Sequence, residues 1–404
     1  MWYAGIDWAD DHHDAVVIDD SGRQILTLRV AHTPAGLSQL ITALEQICGE
    51  AAKDQMACIV ETNRGLLIAA LLEAGFAVYP VNPKTVDRRR NAAGVKTDQI
   101  DAYLLAKTGR SDLADLRRLR PDSPLIQELK ALTRDQDGLI QSQTRLLNQL
   151  SACLKAYYPV ALELFGKLHQ PSTIAFLRAY PTPQQARTAS VEAIAAVLKQ
   201  AGHTRAAVAA GTIEQTLQHE QLTADAITTR TKARLMLALV AQLEPVMQQI
   251  AAYDVEIERL FLLSADSALF ASLPRAGKRL APRLLAEIGD DRSRYADASG
   301  LQALAGTAPV CFESGKYAKA HRRYACLKPL RNAMQQFAWQ STVQEPWAMA
   351  YYQRKRSEGK SHTVAIRALA NVWLRIIYAM WRDRTPYESA TFEASQQQKL
   401  RKAA

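Results

Sequence analysis

What this chain of 404 residues has little of narrows what it can be. Its five cysteines, Cys48, Cys58, Cys153, Cys311 and Cys326, are scattered, with neither CxxC spacing nor a neighbouring Cys/His cluster, which argues against a disulfide framework or a zinc site. No uninterrupted apolar run approaches the roughly 18–20 residues of a membrane-spanning helix, and "MWYAGIDWAD" lacks the basic-then-apolar pattern of an export signal. The expectation is a cytoplasmic protein without a membrane partner. Aromatics make up only 7%, and Tyr351, Tyr352, Trp373 and Trp381 have the spacing of core residues rather than of a base-stacking platform. Acidic residues are also in deficit, 40 against 50 basic ones, for a net charge of +10. The deficit is concentrated: from residue 271 onward 23 Lys and Arg face 10 Asp and Glu, a net +13. Such a concentration points to a polyanion partner more than to a merely solubilising surface.

Residues 2–8, 14–19 and 24–30 are short runs rich in Ile, Val and Leu, parted by "ADDHH" and "DDSGR", and predict three successive antiparallel strands. Thr33 before Pro34 predicts a helix start, "MACIVE" a buried strand, 64–73 a helix and "FAVYPV" another strand. An α/β domain over about 1–120 follows. From Pro124 to about Tyr157, Leu125, Leu129, Leu132, Gln136, Leu139, Gln143, Leu146, Leu150 and Cys153 alternate steps of four and three, a heptad seam with two polar interruptions. Leu239, Leu243, Val246, Ile250, Tyr253, Ile257 and Leu260 repeat the pattern in a helix over about 224–263. An antiparallel pair within one chain and a seam between two chains both fit. The expected division is a catalytic α/β domain at 1–120, a helical coiled-coil region at 121–263, a compact helical domain at 264–386 and a loose tail at 387–404.

Asp7 stands among apolar residues in the first strand, Glu61 ends a buried strand, and "GVKTDQIDAYLLA" places Asp98 and Asp101 on one face of a helix start. Asp98 read alone is an N-cap and Asp101 a first-turn acid favoured by the helix dipole. Neither role accounts for Asp7 or Glu61. Four carboxylates gathered at one sheet edge call for a strong positive charge, and Mg²⁺, with Mn²⁺ as a substitute, takes oxygen ligands of this kind. Asp10, Asp11, His12, His13 and Asp14 read as a solvated hairpin tip.

The order of these residues, with "GIDWADDHHDAVVIDDSG", "VETNRGLLIAALLEAGFAVYPVNPKTVDRRRNAAGVKTDQIDAYLLA", "LFASLPRAGKRLAPRLLAEIGD" and "YADASGLQALAGTAPVCFESGK", resembles the DEDD transposases of bacterial insertion sequences, insertion-sequence family one-ten. The resemblance covers both terminal thirds in order, and the middle third in helical character only. It implies a RuvC-like N-terminal domain of the ribonuclease H fold, long coiled-coil helices and a helical C-terminal transposase domain bearing a serine nucleophile. It further implies a structured guide RNA that pairs with donor and target DNA, a nucleoid-associated homodimer that becomes a tetramer in synapsis, and Mg²⁺ held by Asp7, Glu61, Asp98 and Asp101. The implied nucleophile is Ser314, in "FESGKYAKAHRR", which would form a covalent 5′-phosphoserine link.

Around these residues lie groups suited to nucleic-acid phosphates: Lys84, Arg88, Arg89, Arg90 and Lys96 before the Asp pair, and Lys316, Lys319, Arg322 and Arg323 beside the serine. Lys278 and Arg279, in what resembles a degenerate helix-hairpin-helix with Gly277 at its turn, fit either phosphate contact or a packing hairpin. Three other readings stand beside the recombinase. A RuvC-type nuclease or junction resolvase would use water in place of the serine, and a non-catalytic scaffold would use only the basic C-terminal third. An actin-like kinase, which "GID" also opens, lacks its second glycine-rich phosphate loop.

Overall fold

The computed structural model describes residues 1–63, 65–82, 97–314 and 317–391, the side chains of 313, 314, 317 and 318 excepted. Lys84, Arg88, Arg89, Arg90, Lys96 and Lys316 therefore lie outside the described residues or side chains. The chain divides into two compact units, Met1–Pro121 and Asp122–Ala404.

In the first unit β1 (Trp2–Trp8), β2 (His12–Asp19) and β3 (Gln24–Ala31) form an antiparallel meander. After α1 (Pro34–Cys48), β4 (Met56–Val60) pairs parallel to β1; α2 (Leu66–Glu73) then leads to β5 (Ala77–Pro80), parallel to β4. The sheet order is β3-β2-β1-β4-β5. Thr33 starts α1 as its sequence predicts, its Oγ1 accepting from the Gly36 N–H at 3.1 Å. Alternation along the strands builds two cores. Ala4, Ile6, Ala15, Val17, Cys58 and Val60 meet α1 and α2 residues on one face. Tyr3, Val16, Ile18, Ala57 and Ile59 on the other meet Ala102, Leu105 and Ala106 of α3 (Asp98–Asp112).

The second unit is built on α4 (Pro124–Tyr157) and α9 (Ala226–Leu263), with the short helices α5 (Pro171–Ala179), α6 (Pro183–Arg187), α7 (Val191–Gln200) and α8 (Ala206–Gln218) between them. The two long helices pair within the chain and run antiparallel. Leu129 shares a core with Ile257 and Leu260, whereas Leu150 shares a second core with Met236, Leu239 and Leu243. Gln136, one of the polar interruptions in the seam, is buried and donates to Asp254 Oδ1 at 2.8 Å. Next come α10 (Ser267–Ala271), α11 (Gly277–Ile288), α12 (Ala298–Leu304), β6 (Val310–Ser314), β7 (Tyr317–His321), α13 (Lys328–Ser341), α14 (Pro346–Ser357) and α15 (His362–Asp383).

The expected compact helical domain at 264–386 is mostly helix and also contains an antiparallel hairpin, β6–β7. Its strands of five residues are too short for a period-2 pattern to stand out. By length and composition α9 and α15 are long and apolar enough to cross a membrane, yet α15 carries Trp373, Leu374, Ile377 and Trp381 into a core. Within the expected loose tail, Tyr387 accepts from Trp347 Nε1 at 3.0 Å and donates to Glu345 Oε2 at 2.9 Å, and Ser389 donates to the same carboxylate. Tyr387 and Ser389 are therefore tied to α14 and its cap residue, and residues 392–404 of the expected tail lie outside the described residues.

Candidate active site

Asp7 closes β1 on the face that α3 covers, and the strand register places Asp14 directly across from it and Arg29 across from Asp14. Ile6 pairs with Val60, so Glu61, one residue on, stands level with Asp7. The helix that brings the remaining carboxylates lies unusually close to the sheet. A Cβ on Gly5 would sit 2.0 Å from the Ala102 carbonyl oxygen, and one on Gly109 would sit 2.2 Å from Ile59 Cδ1. At Gly5 the neighbour is backbone that cannot give way, so this glycine sets how near α3 comes to β1, while Gly109 packs the far end of the helix against Ile59 of β4.

Thr97 rather than Asp98 caps that helix, with its Oγ1 accepting from the Ile100 N–H at 3.2 Å. Asp98 is thereby released from capping. Asp101, three residues on, is buried, while the Asp98 carboxyl is 47% exposed. The four acidic residues expected from sequence are electrostatically one group. Burial first, and then the negative charge of Asp101, Glu61, Asp98 and Asp14, pushes the Asp7 carboxyl up to about 6.

Asp14, His12 and Arg29 belong to the same edge, and sequence reasoning missed them. The Arg29 guanidinium grips Asp14 with two bonds, Nε to Oδ1 at 3.0 Å and Nη2 to Oδ2 at 2.7 Å, and its Nη2 lies 3.5 Å from Asp98 Oδ2. His12 Nε2 lies 3.4 Å from Asp98 Oδ2 and 3.5 Å from Asp14 Oδ2. Its imidazole is held above the usual histidine range, first by the hydrogen bond to Asp11. Among the described residues, the ligand-type atoms of His12, Asp14 and Asp98 fall within 4.8 Å of one another. Of the expected solvated hairpin tip, Asp10 and Asp11 form the exposed turn, whereas His12, His13 and Asp14 belong to the start of β2, with His13 and Asp14 buried. The missed signal was the i, i+2 spacing of His12 and Asp14, which puts both on one strand face. Oxygen donors crowded until one resists ionisation, with an imidazole alongside, are the donor chemistry of a hard divalent cation.

The second unit holds the other sequence-expected residues. Ser314 ends β6 with Tyr317 as its register partner, so a two-residue connection separates the strands. Lys319 on β7 is exposed, and Arg322 and Arg323 follow immediately. Lys278 and Arg279 are exposed and make surface ion pairs with α9. Lys278 Nζ pairs with Glu258 at 2.8 Å, and Arg279 binds both oxygens of Asp254 at 2.9 and 2.7 Å. On the other side of α11, Arg283 binds Asp137 and Arg134 of α4 binds the buried Glu287. These pairs fasten α11 to α4 and α9. Arg275 and Gly277, both at positive φ, shape the turn that precedes it.

Comparison with known proteins covers both units. A DEDD transposase model of the IS110 kind matches residues 4–159, and a model described as "Transposase IS116/IS110/IS902 family" matches 267–353. The chain is 33% identical over 396 residues to the mini-circle protein of IS117 from Streptomyces coelicolor, covering 96% of this chain and 95% of that protein. It is 30% identical over 406 residues to the 42 kDa protein of insertion element IS900 from Mycobacterium paratuberculosis, covering 97% and 98%. It is 29% identical over 394 residues to the 44.8 kDa protein of insertion element IS116 from Streptomyces clavuligerus, covering 96% of each.

Proposed function

The chain belongs to the IS110 family of transposases and is a DNA transposase enzyme; from that premise we propose that it is an RNA-guided recombinase that cuts with a serine nucleophile beside a carboxylate-held divalent cation. The observation that supports the metal site in this reading is the sheet edge itself, where the register sets Glu61 level with Asp7 and burial and the charges of Asp101, Glu61, Asp98 and Asp14 push the Asp7 carboxyl up to about 6. A sheet edge that costs this much to ionise is explained by a cation received there. Asp7, Glu61, Asp98 and Asp101 are the proposed ligands, in what the strand order β3-β2-β1-β4-β5 supports as a RuvC-like ribonuclease H fold. Arg29 and His12 orient Asp14 and Asp98 from behind. Mg²⁺ bound at this edge would offset the charge of the scissile phosphate and of the oxygen that leaves it.

In the proposed reaction Ser314 Oγ attacks phosphorus and loses its proton, the bond to the 3′-oxygen breaks, and a 5′-phosphoserine and a free 3′-hydroxyl result. Rejoining reverses this, as an incoming 3′-hydroxyl displaces Oγ, so bond energy is conserved through the covalent intermediate. Lys319, Arg322 and Arg323 hold the phosphate, and the basic residues at 84–96 hold nucleic-acid backbone. A structured guide RNA selects donor and target, and a homodimer, doubled to a tetramer at synapsis, exchanges the strands. The test separates chemistry from assembly. Asp101→Ala, or chelation of divalent metal, is expected to abolish strand cleavage while binding of co-purifying RNA largely remains; cleavage that survives both would refute the metal site.

A further inference from the structure

Trp373 and Trp381 are buried, as their spacing predicts, at 0% and 1% exposure. Trp339, near the end of α13, is 42% exposed. Its ring centre lies 5.5 Å from that of Tyr352 on α14 and 5.1 Å from that of His362, the first residue of α15. The Tyr352 and His362 ring centres are 5.7 Å apart, and the Tyr352 hydroxyl is hydrogen-bonded to His362 Nδ1 at 2.9 Å. The three ring planes meet at 68°, 80° and 77°, so each ring packs edge to face with both others. Gly359, at φ +77°, helps turn the chain between α14 and α15, which brings His362 back beside Tyr352. The indole is thus held by two neighbours while much of it faces solvent.

The chain around this corner is basic. Residues 354–360 include four Lys or Arg and one acid, Glu358, which Lys355 reaches at 2.7 Å and Arg354 at 3.9 Å. Arg356 stands one turn after Tyr352 on the same face of α14. Its Nη1 donates to the Lys360 carbonyl at 2.8 Å, which ties it to the turn that delivers His362, and among the described residues it forms no ion pair. Arg356, Lys360 and His362 are all exposed. So much positive charge disfavours a cationic ligand on the rings. A flat ring joined to an anion suits both features, with a nucleobase against the aromatic surface and its phosphate on the guanidinium. A duplex hides its base faces in the stack, so the fit is to an unpaired nucleotide.

We propose that Trp339, Tyr352 and His362 form a stacking corner for one unpaired nucleobase, whose backbone phosphate Arg356 and Lys360 hold. The base belongs either to guide RNA or to single-stranded DNA, and the experiment separates the two. The RNA arm rests on the reading above, whereas the DNA arm needs only the transposase family. Full-length wild-type, Trp339→Leu, Trp339→Phe and Arg356→Gln proteins are titrated by fluorescence anisotropy against single-stranded RNA and DNA of about 12 nucleotides, and against a DNA duplex, across a series of salt concentrations. Trp339→Leu keeps apolar bulk and removes the ring. It is expected to weaken single-strand binding roughly tenfold, with the salt slope unchanged and duplex binding little affected, and Trp339→Phe to retain most of the affinity. Arg356→Gln, which leaves the rings in place, is expected to flatten the slope of log K against log salt on single strands by about 0.7, as for one lost phosphate contact. Loss on RNA alone, DNA alone or both identifies the source of the base. Unchanged single-strand affinity in Trp339→Leu, an equal loss on the duplex, or an unchanged slope in Arg356→Gln overturns the proposal. A lower oligomeric state in Trp339→Leu with single-strand binding intact also overturns it, by assigning the corner to a second copy of the chain. None of the oligonucleotides carries a cleavage site, so the result is independent of Ser314 and of the metal site.

Discussion

Burial and four neighbouring carboxylates hold the Asp7 proton up to about 6, and linkage fixes the sign of the effect on stability. The unfolded carboxyl loses its proton near its ordinary value of about 3.9. The metal-free protein is therefore favoured by this group at low pH and loses that contribution as pH rises through about 6. A divalent cation needs the ionised form, so its stabilisation grows over the same interval. Mg²⁺ is expected to raise the thermal midpoint at about pH 7.5 and to do little at about pH 5, and Asp7→Asn to raise the metal-free midpoint at the higher pH while abolishing the Mg²⁺ effect. Equal Mg²⁺ shifts at both pH values would show that Asp7 is not a ligand. Asp7 and Glu61 stand out in the sequence because no local role accounts for them, and Asp98 and Asp101, for which helix-start roles also fit, join them only as a set. Asp14, His12 and Arg29 do not stand out, because their meeting depends on cross-strand register and on how short the β1–β2 turn is.

Elements carry the site's precision. The closeness of α3 to β1 rests on Gly5, whose added Cβ would fall 2.0 Å from backbone oxygen that cannot rotate away. Gly5→Val is expected to cost roughly 1–3 kcal/mol of stability, the ordinary range for overpacking, and to lower cleavage far more than nucleic-acid binding, because Asp98 and Asp101 ride on the displaced helix. Chemical denaturation beside a cleavage assay checks this, and full cleavage in a destabilised protein would argue that the helix position does not matter. The strands, the N-cap at Thr33 and both long helices could be read from periodicity and capping. Whether the heptad seams met within one chain was open, since identical spacing serves either pairing; the Gln136–Asp254 bond and the shared cores answer it for this chain. Charge count alone does not reveal that Lys278 and Arg279 pair with Glu258 and Asp254 on α9.

At the scale of the whole molecule, the chain keeps its acidic edge in one compact unit and the hairpin bearing Ser314 in the other; the first family model covers the acidic edge and runs on into the second unit, and the second covers the hairpin. The basic excess is also divided, with a net +13 from residue 271 onward. Composition was enough to direct attention to a polyanion, whereas the pairing of each basic residue required the fold. A recombinase needs both units, whereas a water-using nuclease needs only the first, and trapping the reaction decides between them. Wild-type protein incubated with cleavable DNA and Mg²⁺, then denatured, is expected to carry DNA covalently through its 5′-phosphate, and the adduct to vanish in both Ser314→Ala and Asp101→Ala. Cleaved DNA without any adduct in the wild type would contradict the account.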